Sequence, residues 1–492
     1  MREQLGERAD ADAVGDVSGD RLQRVGAGIA ELALGVVTPS VLFDTPREAA
    51  VASDSSRGAQ SVIVVLGGNM DAKGRGAVWA SHAVGHGPWR VRLAVLGLLV
   101  TAAIPLNVAA SSAQSGGGSR PVVKVGMITA LTGPLASNPE VEDALQASIT
   151  AFNKRGGVGA NGARLEAEVC DTRGDANGEV ACARQMVDDG VVATLNDLTF
   201  NNPAGVVDVL EGAGIPRIGV GGTDISEFQS SVSYPISAGV IAAYIGTAVG
   251  FKEDGHTEIC LVRTDAPTGA TFRGFLTPMF TAVGVEIICD VAVATGATDY
   301  APYVAEVQRE NPDAVLISHT DDVATQLIGA MGQLNAKIPM GGNPGTFSLE
   351  TLRKYRDIMK GTVLSESYPY PAKVNTKNFP GLKQYYADMK ASGNEDLSAA
   401  KLKTTEFSPW VATLAFVNVT KDLASFTPAT VVEALETAQD VDLLGLTPPW
   451  TPSTPGFSVF SSSSNHSVYV SRFNGKDVVT DKQPIDVTQY VE

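Results

Sequence analysis

The sequence is poor in the residues that most chemistry needs. Its 492 residues hold five histidines and four cysteines, with no C-x-x-C and no H-E-x-x-H, so the common zinc-ligand spacings are missing. No G-x-S-x-G, P-loop or paired-carboxylate signature is present, which removes the usual nucleophile elbow and phosphate cradle. Positive charge is scarce as well. Lys and Arg number 37 against 54 Asp and Glu, a net charge of -17, and residues 114–492 alone hold 27 against 43. Such a surface repels phosphate backbones and argues against nucleic acid as a partner. His319 near Asp321 hints at acid–base chemistry. Without a nucleophile or an orienting partner it reads as a strand-end histidine. No cofactor or metal is expected, and an exported enzyme on an α/β scaffold is the weakest reading.

One motif runs against this. Gly156–Gly162, "GGVGANG", contains G-x-G-x-x-G, which binds a dinucleotide only when a strand precedes it and a helix opens within it. The order here is reversed. Val141, Ala144, Leu145, Ser148, Ile149 and Phe152 form a helical stripe before it, and Leu165, Ala167 and Val169 alternate with polar residues after it. The acid expected about 20 residues on is also missing, since the strand ends at Asp171. The glycines read as a helix cap and a tight turn.

A long apolar run is lacking too. Residues 93–104, "LAVLGLLVTAAI", fall short of the about 20 residues of a membrane span. Arg90 and Arg92 precede them, and small residues around Ser111 and Ala113 follow Pro105. This is the layout of a cleaved signal, with the mature chain starting near Ser111 or Gln114; an uncleaved signal would leave the protein membrane-associated. Met70 offers a start that makes 70–113 the signal peptide, 1–69 an extension and 114–121 a linker. Export places the protein in the periplasm or outside the cell. There an even cysteine count favours disulfides, and of three connectivities the sequence-local one, Cys170–Cys182 and Cys260–Cys289, is preferred.

Beyond the linker, strands and helices alternate. Strands are expected at 122–128, 164–170, 191–195 and 214–220, then at 258–263, 284–293, 313–318 and 337–342. Helices fall between them and again near 378–391, 405–422 and 428–438. Repeated β-α units imply parallel sheets with helices on both faces. "SVSYPISAG", "SESYPYPAK" and the Pro-rich stretch after residue 445 interrupt the rhythm, as a hinge between two lobes requires. The expected architecture is two doubly wound α/β lobes joined by three crossings, with 122–236 plus 370–446 in one lobe and 237–369 plus 447–492 in the other.

The order of "VKVGMITALTGPLAS", "FNKRGGVGANGARLEAEVCDTRGDANGEVACARQMVDDGVVA", "GIPRIGV", "NPDAVLIS" and "GFSVFSSSSNHSVYVSRF" resembles the bilobal substrate-binding proteins of ABC importers, of the leucine/isoleucine/valine-binding type. The likeness runs from about residue 122 to 485. It implies a non-catalytic, monomeric solute receptor that closes on a small amino acid, amide or carboxylate and docks on a membrane permease. An extracellular sensor on the same lobes is the alternative. By the resemblance, a loop for a ligand carboxylate falls on Thr199, Phe200 and Asn201, and a carbonyl and a hydroxyl facing the ligand fall on Gly221 and Thr223. In the second lobe Thr268 and Thr320 stand where tyrosines are common. Asn343 stands where an amino-acid binder has a carboxylate, with Asp265, Asp321 or Asp322 as substitutes. Asn343 carries no charge for an ammonium. A small carboxylate or amide is therefore expected to bind more tightly than leucine, isoleucine or valine.

Overall fold

The computed structural model describes residues 120–491 apart from 134–138, 223, 266, 295, 395–403 and 457–459. The expected extension, signal peptide and most of the linker lie outside these residues, as does Thr223.

Strand β1 (Val122–Thr129) leads into α1 (Pro139–Lys154), and all six residues of the expected stripe are buried. The helix lies against a later one through Phe152 and Trp410, whose rings are 6.2 Å apart. It stops in the glycine turn. Gly157 takes φ 85°, and a Cβ there would stand 2.2 Å from the Ala163 carbonyl oxygen, so only glycine fits. Val158 bridges to Ala163 and the chain enters β2 (Arg164–Asp171). Helix, turn, strand is the order that makes this glycine run a connector.

α2 (Ala176–Asp188), β3 (Thr194–Leu195), α3 (Pro203–Gly212), β4 (Arg217–Ile218) and β5 (Ser233–Tyr234) complete the first set. The strands pair in parallel in the order β2-β1-β3-β4-β5. β3 keeps only the last two residues of the expected 191–195 and ends where Asn196 turns the chain out of the ladder at φ 56°.

The second set begins with α4 (Gly239–Glu253) and continues through β6 (Glu258–Thr264), α5 (Pro267–Val283), β7 (Glu286–Val293), α6 (Ala301–Glu310), β8 (Ala314–Ser318), α7 (Asp321–Gln333), β9 (Met340–Gly342), α8 (Leu349–Lys354), α9 (Arg356–Met359) and β10 (Val363–Glu366). The chain then returns. Within α10 (Pro380–Ser392), α11 (Thr404–Val419) and α12 (Pro428–Thr437), Tyr385, Phe407, Trp410, Phe416 and Leu435 join the first core. Finally β11 (Ser467–Phe473), β12 (Val478–Thr480) and β13 (Ile485–Asp486) add to the second sheet as antiparallel strands. The order there is β12-β11-β10-β9-β8-β6-β7, with β13 on β11.

The chain thus passes between two sheets three times: at 235–238, at 367–372, and beyond Trp450, which still packs in the first core. The crossings are bonded to one another. Ala238 N–H donates to the Ser367 hydroxyl at 2.8 Å, and the Asn465 side-chain amide donates to the Ile236 carbonyl at 2.8 Å. Both disulfides take the expected connectivity: Cys170 of β2 to Cys182 of α2, and Cys260 to Cys289, register partners on β6 and β7. No described helix is long and apolar enough to cross a membrane.

Candidate functional site

In each sheet the strand order reverses beside the first strand, between β1 and β3 and between β6 and β8. Parallel α/β sheets bind ligands beyond the carboxyl ends of the strands at such a switch. The crossings leave and enter at the same ends, so the site has two mouths and a hinge.

The mouth of the first lobe is held by its own acids. Glu179, in the first turn of α2 and 1% exposed, accepts the backbone N–H groups of Phe200, Asn201 and Asn202 at 2.8, 3.0 and 2.6 Å. The Asn201 side-chain amide also reaches it, at 3.4 Å. Asp171 ends β2 and accepts N–H from Leu131, Thr132 and Arg173 and the Thr132 hydroxyl. Burial pushes the Asp171 carboxyl up, but these bonds outweigh it and the group sits below its ordinary value.

Beneath these loops lies a fully buried ion triad. Arg217 of β4 sends Nε to Asp197 at 3.1 Å and Nη2 to Glu227 at 2.8 Å, and none of the three side chains is more than 1% exposed. Burial disfavours the guanidinium charge, yet Glu227 and Asp197 overcome that and hold it above its ordinary value. Two acids to one cation leave a surplus negative charge. Neutral donors spread it: Ile128 N–H and the Thr194 hydroxyl reach Asp197, while the Thr199 hydroxyl and Asp224 N–H reach Glu227.

The residues expected to meet a ligand therefore divide. Thr199 is buried, with its hydroxyl on Glu227. The N–H groups of Phe200 and Asn201 are engaged by Glu179, while the Phe200 ring is 48% exposed. Gly221 N–H bonds the Asp197 carbonyl at 3.1 Å, and a Cβ there would press on Leu198 at 2.8 Å. The argument for a ligand carboxylate in this loop needed free donors. Internal carboxylates occupy them.

In the second mouth, Tyr244 rises from α4 and its hydroxyl donates to the Ser318 hydroxyl at 3.0 Å while accepting from the Asn343 amide at 3.3 Å. Burial pushes the Tyr244 phenol up to about 12, and its ring meets Phe272 edge-on at 5.2 Å. Asn343 Oδ1 accepts N–H from Gly345 and Thr346, so this residue also shapes its own turn. His319 bridges the switch: Nδ1 accepts Thr320 N–H, which puts the proton on Nε2, 3.2 Å from the Thr264 hydroxyl. Burial holds it below its ordinary value, in the neutral form. Thr320 is exposed at the start of α7 with no side-chain capping bond. Thr268 lies in the first turn of α5, and its side chain is outside what the structure describes. Of the substitute acids, Asp321 accepts Ser348 N–H, and Asp265 and Asp322 are exposed.

Sequence reasoning missed four residues: Glu179, Arg217, Glu227 and Glu366. Arg217 left a trace, a lone charge inside the buried strand "GIPRIGV", which must find partners. Glu366 ends β10 in "VLSES" and sits at the hinge, where Oε1 accepts Ser367 N–H at 2.8 Å and the Ser237 hydroxyl at 3.4 Å.

Comparison with known proteins places this geometry. The sequence pattern of the periplasmic binding protein family matches residues 122–470. The leucine-specific-binding protein of Salmonella typhimurium is 22% identical over 253 residues, 48% of this chain and 68% of that protein. Among solved structures, the branched-chain amino acid transporter substrate binding protein of Streptococcus pneumoniae in complex with isoleucine superposes with a TM-score of 0.60 at 14% identity, covering 74% of this chain and all of that one. A solute binding protein of R. palustris in complex with 4-hydroxybenzoate gives 0.58 at 15%, covering 74% and 96%. At these identities the superpositions establish the fold, not the ligand.

Proposed function

We propose, from the premise that this chain belongs to the periplasmic binding protein family, that it is the exported, monomeric solute receptor of an ABC importer, catching a small polar ligand between its lobes and handing it to a membrane permease. The observation that supports this most is the placing of both strand-end mouths at a hinge of three mutually bonded crossings. Closing such a hinge lets a ligand meet groups from both lobes at once. The Phe200 ring and the Tyr244–Phe272 pair would supply apolar contact, and Thr320, Asn343 and the hinge hydroxyls polar contact. Residues 70–113 serve as the signal peptide in this reading.

A thermal-shift screen with isoleucine, putrescine, 4-hydroxybenzoate and acetamide tests it. A ligand at 100 times its Kd raises stability by about 2.7 kcal/mol. At least one probe should raise the melting temperature. No shift with any of them, even at millimolar concentration, would speak against a receptor for small polar solutes.

A further inference from the structure

Glu366 is a strand-end acid of the site region with no cationic partner among the described residues. It closes β10 as Ser318 closes β8 and as Asn343 follows β9, and the first two crossings meet at its side chain. Oε1 accepts the Ser367 N–H and the Ser237 hydroxyl, and the Ser367 hydroxyl also bonds the carboxylate. Residue 366 is part-exposed, so the carboxylate is not sealed away. No described Lys or Arg pairs with it. The titratable groups around it are phenols: Tyr244 of α4, Tyr368 of the second crossing, and Tyr469, its register partner on β11. Burial pushes the Glu366 carboxyl above its ordinary value, and its hydrogen bonds do not reverse this. A desolvated acid without a cation is costly, and a fold keeps one where something binds.

We infer that Glu366 recognises charge in the ligand: its carboxylate receives the ammonium, or another cationic N–H donor, of a small ligand as the lobes close. This rests on the receptor reading and names the ligand's chemistry within it. It also puts the missing charge at the hinge rather than at residue 343. The ligand-free side chain is protonated over part of the pH range, and the incoming cation displaces that proton to the buffer. Affinity for an amine therefore rises with pH through the folded pKa of Glu366 and levels off above it.

Isothermal titration of the mature chain and of Glu366→Gln, with the four probes above over a pH series from about 4.5 to about 8 in two buffers of different ionisation enthalpy, tests this. An amine-bearing probe, isoleucine or putrescine, should bind the parent and release protons at the low end of the series, with the release fading as pH rises. In Glu366→Gln its affinity should fall about 10- to 100-fold and lose its pH dependence. Unchanged amine binding in the variant, or binding of 4-hydroxybenzoate or acetamide alone, overturns the inference and leaves the receptor standing. Silence of all four on the parent overturns both. The ligand-free variant should melt no lower than the parent at about pH 8; a large drop would make Glu366 structural and also overturn the inference.

Discussion

The two mouths of the site handle their acids in opposite ways. In the first lobe Asp171, Glu179, Asp197 and Glu227 each accept several hydrogen bonds from the strands and loops around them, so each carboxylate ties its surroundings together. At the hinge Glu366 has hydrogen bonds from Ser237 and Ser367 alone among the described residues, and no cation. A saturated carboxylate is part of the scaffold: it orders the backbone and has little left to offer a ligand. An unsaturated one costs stability and is available. On the inference for Glu366, the first lobe is a preformed wall and a ligand's charge is met at the hinge.

The strongest way to break the wall is Arg217→Met, which leaves Asp197 and Glu227 buried without their cation. Removing one partner of a buried ion pair costs about 3–5 kcal/mol. Trp410 and Trp450, both in the first core and the only tryptophans after residue 89, report on this lobe by fluorescence. Their unfolding transition should move to markedly lower denaturant. A midpoint unchanged from the parent would mean that the triad does not hold the lobe together.

A smaller effect is expected from Glu179→Gln. The amide keeps one acceptor but turns its NH2 toward backbone donors that the carboxylate had bonded. Losing charge-assisted bonds of this kind costs about 1.5–3 kcal/mol, and exchange of the Phe200, Asn201 and Asn202 amide hydrogens should speed up. If those amides stay protected, something other than Glu179 orders the loop.

How much of this contrast was legible in the sequence follows from what each feature depends on. The α1 stripe and the alternation in β2 are periodic, so local reading finds them, and the helix-turn-strand order around Gly157 settles the glycine motif without any tertiary information. Sequence-local reasoning also gives the cysteine pairs, because neighbouring elements carry them. The site loops were locatable as strand ends. What could not be read is which donors in those loops are already taken. Glu179 lies more than 20 residues from Asn201 along the chain, and Glu227 lies 28 from Thr199; no period links them, only the fold. In the sequence Thr199, Phe200 and Asn201 read as a loop for a ligand carboxylate, from groups that have to be satisfied. Their partners turn out to be the protein's own acids. Glu366 was passed over for the opposite reason: a glutamate at a strand end looks solvated until the first two crossings are seen to meet beside it.

The smallest expected effect sharpens the other side of the comparison, in the protein without ligand. Burial raises the folded pKa of Glu366 above the ordinary value of 4.5. Its protonated form is then favoured in the folded state, and the associated stability is fully present below the unfolded pKa and lost as pH rises through the folded one. Glu366→Gln cannot ionise and escapes that loss. The melting temperature of the variant relative to the parent should therefore climb as pH rises from about 4.5 and flatten once Glu366 is ionised in both states. A gain of about 2–4 °C corresponds to roughly 1 kcal/mol in a domain of 150–250 residues. Calorimetric scans of both proteins across this range read the difference directly, since every other titrating group is common to the two. A difference that stays constant with pH would mean that Glu366 titrates alike in the folded and unfolded chains. The hinge acid would then be as well satisfied as those of the first lobe, and the contrast between the two mouths would disappear.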